Sequence, residues 1–289
     1  MNDLSKGLLI TGLGVLLVIP DSLFVRLIDA DALTIAFWRM MLAGGLLGVV
    51  LLLWKGVAPF RAVIGTGRYG LIYALGVGIS GLLFILAISM TSVANVVFII
   101  ASLPVFASIY SRIFLKEPIS LRMLLTMAVV MVGLAVIAYG SGETENAHIS
   151  GDLLALGVSA LFAAALTAAR RVKHVSMVPG VAMGYVLAAL LILPFSSPFS
   201  VPVEQTPIVL LHGAFIFGSS ILLAIGPRFI TSAEVGLLVL LESALAPVLV
   251  WIVVGEDPGA YALVGGTIVI GALFVSNLWV LRRSVRYRQ

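Results

Sequence analysis

The stretch of sequence that decides the fold lies in the first half of the chain, where residues 69–114 read YGLIYALGVGISGLLFILAISMTSVANVVFIIASLPVFASIYSRIF. Two apolar segments follow one another here, Tyr69–Met90 and Ser92–Phe114, and Arg112 carries the first charge of the stretch. An α-helix needs about 20 apolar residues to cross roughly 30 Å of hydrocarbon. The stretch therefore predicts two membrane spans joined by a tight turn.

Composition extends this interpretation to the whole chain. Of the 289 residues, 61% are hydrophobic and 10% are charged, and the mean hydropathy is +1.20, whereas a soluble domain carries roughly 25% charged residues. Lipid must therefore cover most of the surface, and we predict an all-α membrane protein with ten transmembrane helices. The other eight predicted spans are Gly7–Ile28, Ala32–Trp54, Leu121–Tyr139, Gly151–Ala169, Val178–Phe195, Ile208–Ile230, Ser232–Val254 and Ala260–Val280. The chain has no cysteine, which excludes disulfides and thiol chemistry.

The distribution of basic residues predicts the orientation. With the N-terminus in the cytoplasm, fifteen of the 17 lysines and arginines lie in or next to cytoplasmic loops, as the positive-inside rule requires. The polar linker Gly140–Ser150 then lies outside and carries acids but no Lys or Arg. A cleaved signal peptide is the alternative, because Ala30-Asp31-Ala32 resembles a cleavage site. Losing one helix would, however, invert every later loop, so we expect both termini in the cytoplasm.

An internal repeat relates the two halves. A shift of 140 positions aligns Thr91-Ser92 with Thr231-Ser232, and Glu117-Pro118 with Asp257-Pro258, without a gap. Each half has an odd number of predicted helices, five, so the two copies insert with opposite topology. Inverted repeats are typical of secondary transporters, which hold substrate near the midplane where the repeats meet. We assign residues 1–140 to the first repeat, 141–150 to a periplasmic linker and 151–289 to the second repeat with a basic cytoplasmic tail.

Short motifs make the two halves similar to a known family. The units that end in Leu115-Lys116-Glu117-Pro118-Ile119 and Gly255-Glu256-Asp257-Pro258-Gly259 resemble the EamA units of the drug/metabolite transporter superfamily, as do Phe37-Trp38-Arg39 and Gly151-Asp152. The full-length pattern most resembles the bacterial exporters of aromatic and neutral amino acids. The resemblance implies a ten-helix basket around a central cavity, alternating access, and export across the inner membrane of a bacterium. We therefore expect a transporter and not an enzyme.

Glu242 is the most informative side chain for function. It lies ten residues into the ninth predicted span, roughly 15 Å deep at about 1.5 Å per residue. An ionisable group near the midplane costs about 2.5–3.5 kcal/mol on insertion scales, and it normally faces a cavity. We expect Glu242 to hold a substrate ammonium or to take up a proton. The alternative is a neutral acid hydrogen-bonded between helices.

The repeat points to further candidates for substrate binding. The same shift places Ser102 opposite Glu242, and Asn95 and Phe98 share the i, i+3, i+7 face of the fourth span with Ser102. The same shift also aligns Ser80 of the third span with Ser220 of the eighth, beside Ser219. In the alternative interpretation, these polar residues merely join neighbouring helices. The predicted substrate-binding residues are Glu242, Ser102, Asn95, Phe98, Ser80, Ser219 and Ser220.

An interruption of the first predicted helix suggests a gate. Pro20 precedes Asp21 about two-thirds of the way across, and proline removes one helical hydrogen bond, which can free a carbonyl toward a cavity. A position for Asp21 at the outer interface is the alternative. Arg39 is expected to snorkel to headgroups or to pair with an acid, and His212 to form an interfacial hydrogen bond. The predicted gating or cavity-lining residues are Pro20, Asp21, Trp38 and Trp251.

The leading hypothesis is secondary export of small metabolites, most of all amino acids, with protons as the candidate coupling ion. None of the four lysines follows a glycine, so no ATP-binding P-loop is present. The predicted midplane lacks Lys and Arg, which argues against phosphorylated substrates and favours a zwitterion with its ammonium at Glu242. We expect the bilayer and a small molecule as partners, and no cofactor, metal or nucleic acid.

Two alternatives remain at the level of sequence. A multidrug or quaternary-cation exporter would have the same fold. An intramembrane serine protease is a remote alternative, because Gly78-Ile79-Ser80-Gly81 matches the Gly-x-Ser-Gly of rhomboids and His212 could act as base. The repeated serine at position 220 and the number of helices both argue against a protease.

Overall fold

The computed structural model describes residues 3–116, 118–140, 148–225, 229 and 232–286. Helices joined by short loops make up these residues, and no β-strand occurs among them. Eight helical segments are long and apolar enough to cross a membrane, and the helices Ser232–Val254 and Ala260–Arg286 complete the ten. The protein is thus an all-α membrane protein with ten transmembrane helices in two inverted five-helix repeats, as predicted.

Eight of the ten spans follow the predicted boundaries to within two residues. The span predicted from Ile208 begins five residues earlier, the last span ends six residues later than predicted, and there are two additions. A short helix, Ala58–Gly65, follows the second span, and three turns of 3-10 helix occupy much of residues 193–205. Several predicted features lie outside the described residues: Glu117 and Thr231 of the repeat motifs, residues 141–147 of the linker, the predicted end of the eighth span, Arg228 and Arg288. The first eight spans are Ser5–Leu27, Ala32–Lys55, Arg68–Met90, Val93–Phe114, Leu121–Gly140, Ile149–Arg171, Val178–Phe195 and Val203–Ile225.

Three spans are interrupted within the membrane. The first span divides into Asp3–Val18 and Asp21–Leu27, with the break at Pro20 as predicted. The fourth divides into Val93–Ile100 and Leu103–Phe114, at a turn just before its own proline. The second contains a π-helical turn at Met41–Gly45, for which the sequence has no signal. The ninth span, by contrast, continues as a helix through its proline.

Side-chain caps fix where two of these helices begin. Asp31 accepts hydrogen bonds from the Thr34 amide (2.9 Å) and hydroxyl (2.6 Å) at the start of the second span. Slight burial opposes the charge on Asp31, but these hydrogen bonds outweigh it, so the pKa of Asp31 lies below its ordinary value. Ser92 accepts from the Asn95 amide at the start of the fourth span (3.1 Å). The predicted turn at Thr91-Ser92 is therefore a helix cap.

Helix packing follows the symmetry of an inverted repeat, in which the first span corresponds to the sixth and the third to the eighth. The third span packs along the sixth, and the first along the eighth, so these two pairs are equivalent. The fifth and tenth spans correspond to each other and cross where Gly133 meets Gly265. A β-carbon on Gly265 would lie 2.6 Å from the Gly133 carbonyl oxygen. Small residues at such crossings let the two backbones approach.

The third and seventh spans cross at an even shorter distance. A β-carbon on Gly184 would lie 2.2 Å from the Ala74 carbonyl oxygen, and one on Gly78 would lie 2.4 Å from the Gly184 carbonyl oxygen. Both distances are too short for any side chain, so the crossing requires glycine at each position. The contact holds the second repeat against the first.

Successive spans run in opposite directions, which gives the bundle two ends. The linker end, as we call it, carries residues 28–31, 91–92, 196–202 and 255–259 together with residues 140 and 148, which flank the linker. The termini end carries the first and last described residues, 3 and 286, and residues 56–67, 115–116, 118–120 and 172–177. Lys116 and Asp257, whose segments match in the repeat, therefore lie at opposite ends.

Candidate functional site

A cluster of charged side chains is buried inside the bundle, where the first span is interrupted. Arg39 donates to both carboxylate oxygens of Asp21, from Nε to Oδ1 at 3.0 Å and from Nη2 to Oδ2 at 2.6 Å. His212 Nε2 lies 2.6 Å from Asp21 Oδ1. Asp21 is 2% exposed and His212 is 1% exposed. Charges removed from water in this way must be paired, and the cluster meets that need by joining the first and second spans to the eighth.

Aromatic rings enclose the cluster. The Arg39 guanidinium lies 5.6 Å from the centre of the Phe84 ring and 5.8 Å from that of Tyr185, within the range of cation–π attraction. The His212 ring stacks on Phe24 with a centroid distance of 5.2 Å. The rings exclude water from the charges and strengthen their mutual attraction.

The structure corrects one position inferred from sequence, because His212 is buried in the bundle and does not lie at the interface. Asp21 is also buried, which argues against the alternative that placed it at the outer interface. Because His212 bonds to a carboxylate from another span, the residues around it in the sequence do not indicate that it is buried beside an acid. Arg39 takes the second of its two expected roles, pairing with an acid.

Glu242 lies half-buried in the ninth span, within electrostatic range of Asp21 and Arg39. Its carboxyl group forms no hydrogen bond or ion pair with another described residue. Asp21 already compensates the charge of Arg39, so Asp21, Arg39, a neutral His212 and an ionised Glu242 together carry one net negative charge. That arrangement attracts a proton or a positively charged ligand group.

The three candidates of the fourth span do not share one face. Asn95 donates to Asp152 of the sixth span (3.1 Å), and Ser102 lies 3.5 Å from the hydroxyl of Ser159 in the same span. Phe98 instead packs over Gly266 of the tenth span, so closely that a β-carbon there would lie 2.4 Å from the ring. Asn95 and Ser102, seven positions apart, therefore both meet the sixth span, whereas Phe98, in the same helix as Asn95, meets the tenth.

The symmetric serines are placed in helix packing. Ser80 is buried and donates to the Val77 carbonyl in its own helix (3.1 Å). Ser219 is buried and Ser220 is half-buried. Since Ser80 bonds to its own backbone and His212 to Asp21, no serine–histidine hydrogen bond supports the protease alternative among the described residues.

Two of the predicted gating residues lie in different parts of the bundle, Trp38 at the linker end and Trp251 on the outer side of the ninth span. Trp38 Nε1 donates to the Pro198 carbonyl (2.9 Å), which ties the second span to the loop after the seventh. Trp251 is half exposed and lines an apolar cavity of about 380 Å³ between the ninth and tenth spans, with Phe98 and Pro247 in its wall. Pro20, half-buried, forms the break beside Asp21.

The two ends of the bundle differ in how the repeats meet. Near the linker end, Val93–Ile100 packs against the ninth and tenth spans, and Ser243 donates to the Val97 carbonyl (3.3 Å). Toward the termini end, Leu103–Phe114 packs less extensively against these two spans within the described part of the chain, and its Val105 joins a small apolar cluster with Val269 and Leu273 of the tenth span. The repeats are therefore closed together at the linker end.

Polar contacts that sequence reasoning missed reinforce this closure. Arg26 Nε forms an ion pair with Glu256 (2.6 Å), and its Nη2 donates to the Thr91 carbonyl (2.9 Å). The Thr91 hydroxyl donates in turn to Asp152 (2.9 Å). In the sequence analysis, Arg26 bears only on orientation, and Glu256 and Asp152 serve only as parts of the motifs that resemble the family. The signal that could have found them is Arg26 itself, a basic residue in a loop region otherwise rich in acids.

Comparisons with known proteins agree with this architecture. The chain matches the EamA-like transporter family over residues 7–139 and 149–278, one match for each repeat. Among curated proteins no sequence matches significantly. A solved structure titled "Crystal structure of protein" has 18% sequence identity and a TM-score of 0.67, over 96% of this chain and 98% of that chain, and shows the shared fold. The two family matches cover nearly the whole chain, and the protein is a member of the EamA-like family of membrane transporters for small molecules.

Proposed function

We propose that the protein exports small metabolites, most of all amino acids with neutral or aromatic side chains, by alternating access. The observation that carries the proposal is the interior charge pattern, in which the Glu242 carboxyl group has no hydrogen bond or ion pair with a described residue while Asp21 compensates the charge of Arg39. An uncompensated carboxylate suits the ammonium of a zwitterion. A substrate bearing phosphate would need an uncompensated cationic clamp, and the charge of Arg39 is already compensated by Asp21.

The rest of the substrate would be recognised by polar and aromatic groups. Hydroxyl and amide donors are suited to the substrate carboxylate, and aromatic rings to its side chain. Opening and closing of the two repeats would change which of these groups the substrate can reach. The candidates are Ser102, Asn95, Ser80, Ser219 and Ser220 for the carboxylate, and Phe98, Trp38 and Trp251 for the side chain.

The proposal assigns the termini end to the cytoplasm of a bacterial cell and the linker end to the periplasm. The positive-inside rule supports this orientation. With that orientation, closure of the repeats at the linker end means that this conformation would load substrate from the cytoplasmic side. The chain lacks cysteine, so Lys116→Cys and Asp257→Cys can each report orientation. A membrane-impermeant thiol reagent added to intact spheroplasts should label only Asp257→Cys. Labelling of both, or of Lys116→Cys alone, would overturn the assignment.

Transport by purified protein in liposomes tests the function. We expect efflux of radiolabelled neutral or aromatic amino acids, dependent on a proton gradient if Glu242 exchanges its ligand for a proton. Glu242→Gln should abolish transport or uncouple it from the gradient, because the variant cannot ionise. Glu204→Gln, an exposed acid of the linker end, is the matched control and should transport normally. Unchanged flux in Glu242→Gln at every pH would remove Glu242 from the mechanism.

Export of a quaternary cation is the second candidate, and the same carboxylate favours it. A cation with no carboxylate would need only Glu242 and aromatic rings. Cationic dyes should therefore be tested beside the amino acids in the same liposomes. Dye transport without amino-acid transport would replace the leading proposal by this one.

A further inference from the structure

Glu256 occupies an unusual position in the loop between the ninth and tenth spans. One carboxylate oxygen accepts from Arg26 Nε at 2.6 Å, and the other accepts from the Val93 amide at 2.6 Å. Val93 is the first residue of the helix Val93–Ile100, so the carboxylate satisfies a free N–H at the positive end of that helix. The Glu256 side chain is only 10% exposed and that of Arg26 only 20%.

These contacts connect three separate segments at the linker end. Arg26 lies at the end of the first span and also donates to the Thr91 carbonyl, in the turn between the third and fourth spans. Glu256 belongs to the second repeat, whereas Arg26, Thr91 and Val93 belong to the first. Any movement that separates the repeats at this end must break both bonds of the Glu256 carboxylate. At 10% and 20% exposure, solvent screens the ion pair less than a fully exposed one.

We propose that the Glu256 carboxylate, held by Arg26 and the Val93 amide, is the latch that keeps the linker end closed, and that its release opens the substrate site on that side. Glu256 is a positioning residue in this scheme and does not touch substrate. The inference rests on the proposed alternating access but not on the identity of the substrate.

Cysteine accessibility in the naturally cysteine-free chain measures the latch directly. Ala246 is 1% exposed in the linker-end half of the ninth span, so Ala246→Cys reports opening there. Ala163 is 0% exposed within the sixth span, and Ala163→Cys reports general loosening of the fold. Full-length protein in liposomes is labelled with a membrane-impermeant maleimide. The labelling rate of each cysteine is compared between the chain with Glu256 and Arg26 intact and the chains in which one of them is replaced.

The latch makes a graded prediction. Glu256→Gln removes the ion pair but keeps an acceptor for the Val93 amide, and losing one charge-assisted hydrogen bond should speed labelling of Ala246→Cys about tenfold. Glu256→Ala loses both bonds and should label faster still. Arg26→Gln should resemble Glu256→Gln. The control Glu204→Gln should leave the rate unchanged, and Ala163→Cys should stay unlabelled in every background.

Each outcome decides between distinct alternatives. Faster labelling of Ala246→Cys alone supports the latch, whereas equal acceleration of Ala163→Cys would show that Glu256 only stabilises the fold and would overturn the proposal. Unchanged labelling of Ala246→Cys in both Glu256 variants would also overturn it. Because no substrate is present, the result is independent of whether amino acids are transported. If the efflux assay shows no amino-acid transport while the labelling rates increase in the expected order, the proposed substrate class is rejected and the latch proposal stands.

Discussion

Replacing Asp21 by asparagine tests whether the buried charge cluster is held together as the structure indicates. Asp21 is 2% exposed and accepts two hydrogen bonds from Arg39 and one from His212. Asp21→Asn keeps the shape of the side chain but removes the carboxylate that is hydrogen-bonded to the buried Arg39 charge. Breaking a buried pair in this way costs about 3–5 kcal/mol. At about 2–4 °C per kcal/mol, the midpoint of thermal unfolding in detergent should fall on the order of 10 °C.

The double variant Asp21→Asn with Arg39→Met provides the decisive comparison. It removes both charges while the amide of the first substitution can still accept from His212, so it should be more stable than Asp21→Asn alone. Asp29→Asn alters an exposed acid of the adjoining loop and should change the midpoint by less than about 2 °C. Fluorescence-detected unfolding of the purified variants gives all four midpoints. A small effect of Asp21→Asn, or a double variant less stable than the single one, would refute the reasoning.

Two further predictions concern packing and capping. Gly184→Ala places a β-carbon 2.2 Å from the Ala74 carbonyl oxygen and should destabilise the protein by at least about 2 kcal/mol, seen as reduced monodisperse protein in size-exclusion chromatography. Gly271→Ala, which meets nothing within 4 Å, is the matched control, and equal behaviour of the two would contradict the close crossing. Asp31→Ala removes both hydrogen bonds from Thr34 and should lower stability by about 1 kcal/mol. An unaltered melting temperature for Asp31→Ala would show that the cap contributes nothing.

Much of the architecture could be predicted because a membrane restricts it. Apolar segments of fixed length, basic loops on one side and a gapless internal repeat each leave a local signal in the chain. Pro20 likewise predicts the break in the first span, because the lack of an N–H is a property of that residue alone. The π-turn at Met41–Gly45 has no such signal, since it depends on packing against neighbouring spans.

The sequence by itself determined the ten spans, their inverted arrangement and the presence of an ionisable residue deep in the ninth span. Only the tertiary structure decided which charges meet. Asp21 and His212 are separated by 191 positions, and Arg26 and Glu256 by 230, so no local pattern links them. The tertiary structure also decided that Asn95 and Ser102 face the sixth span while Phe98 faces the tenth. Side-chain pairing depends on how helices rotate and cross, and that is settled by packing across the whole bundle.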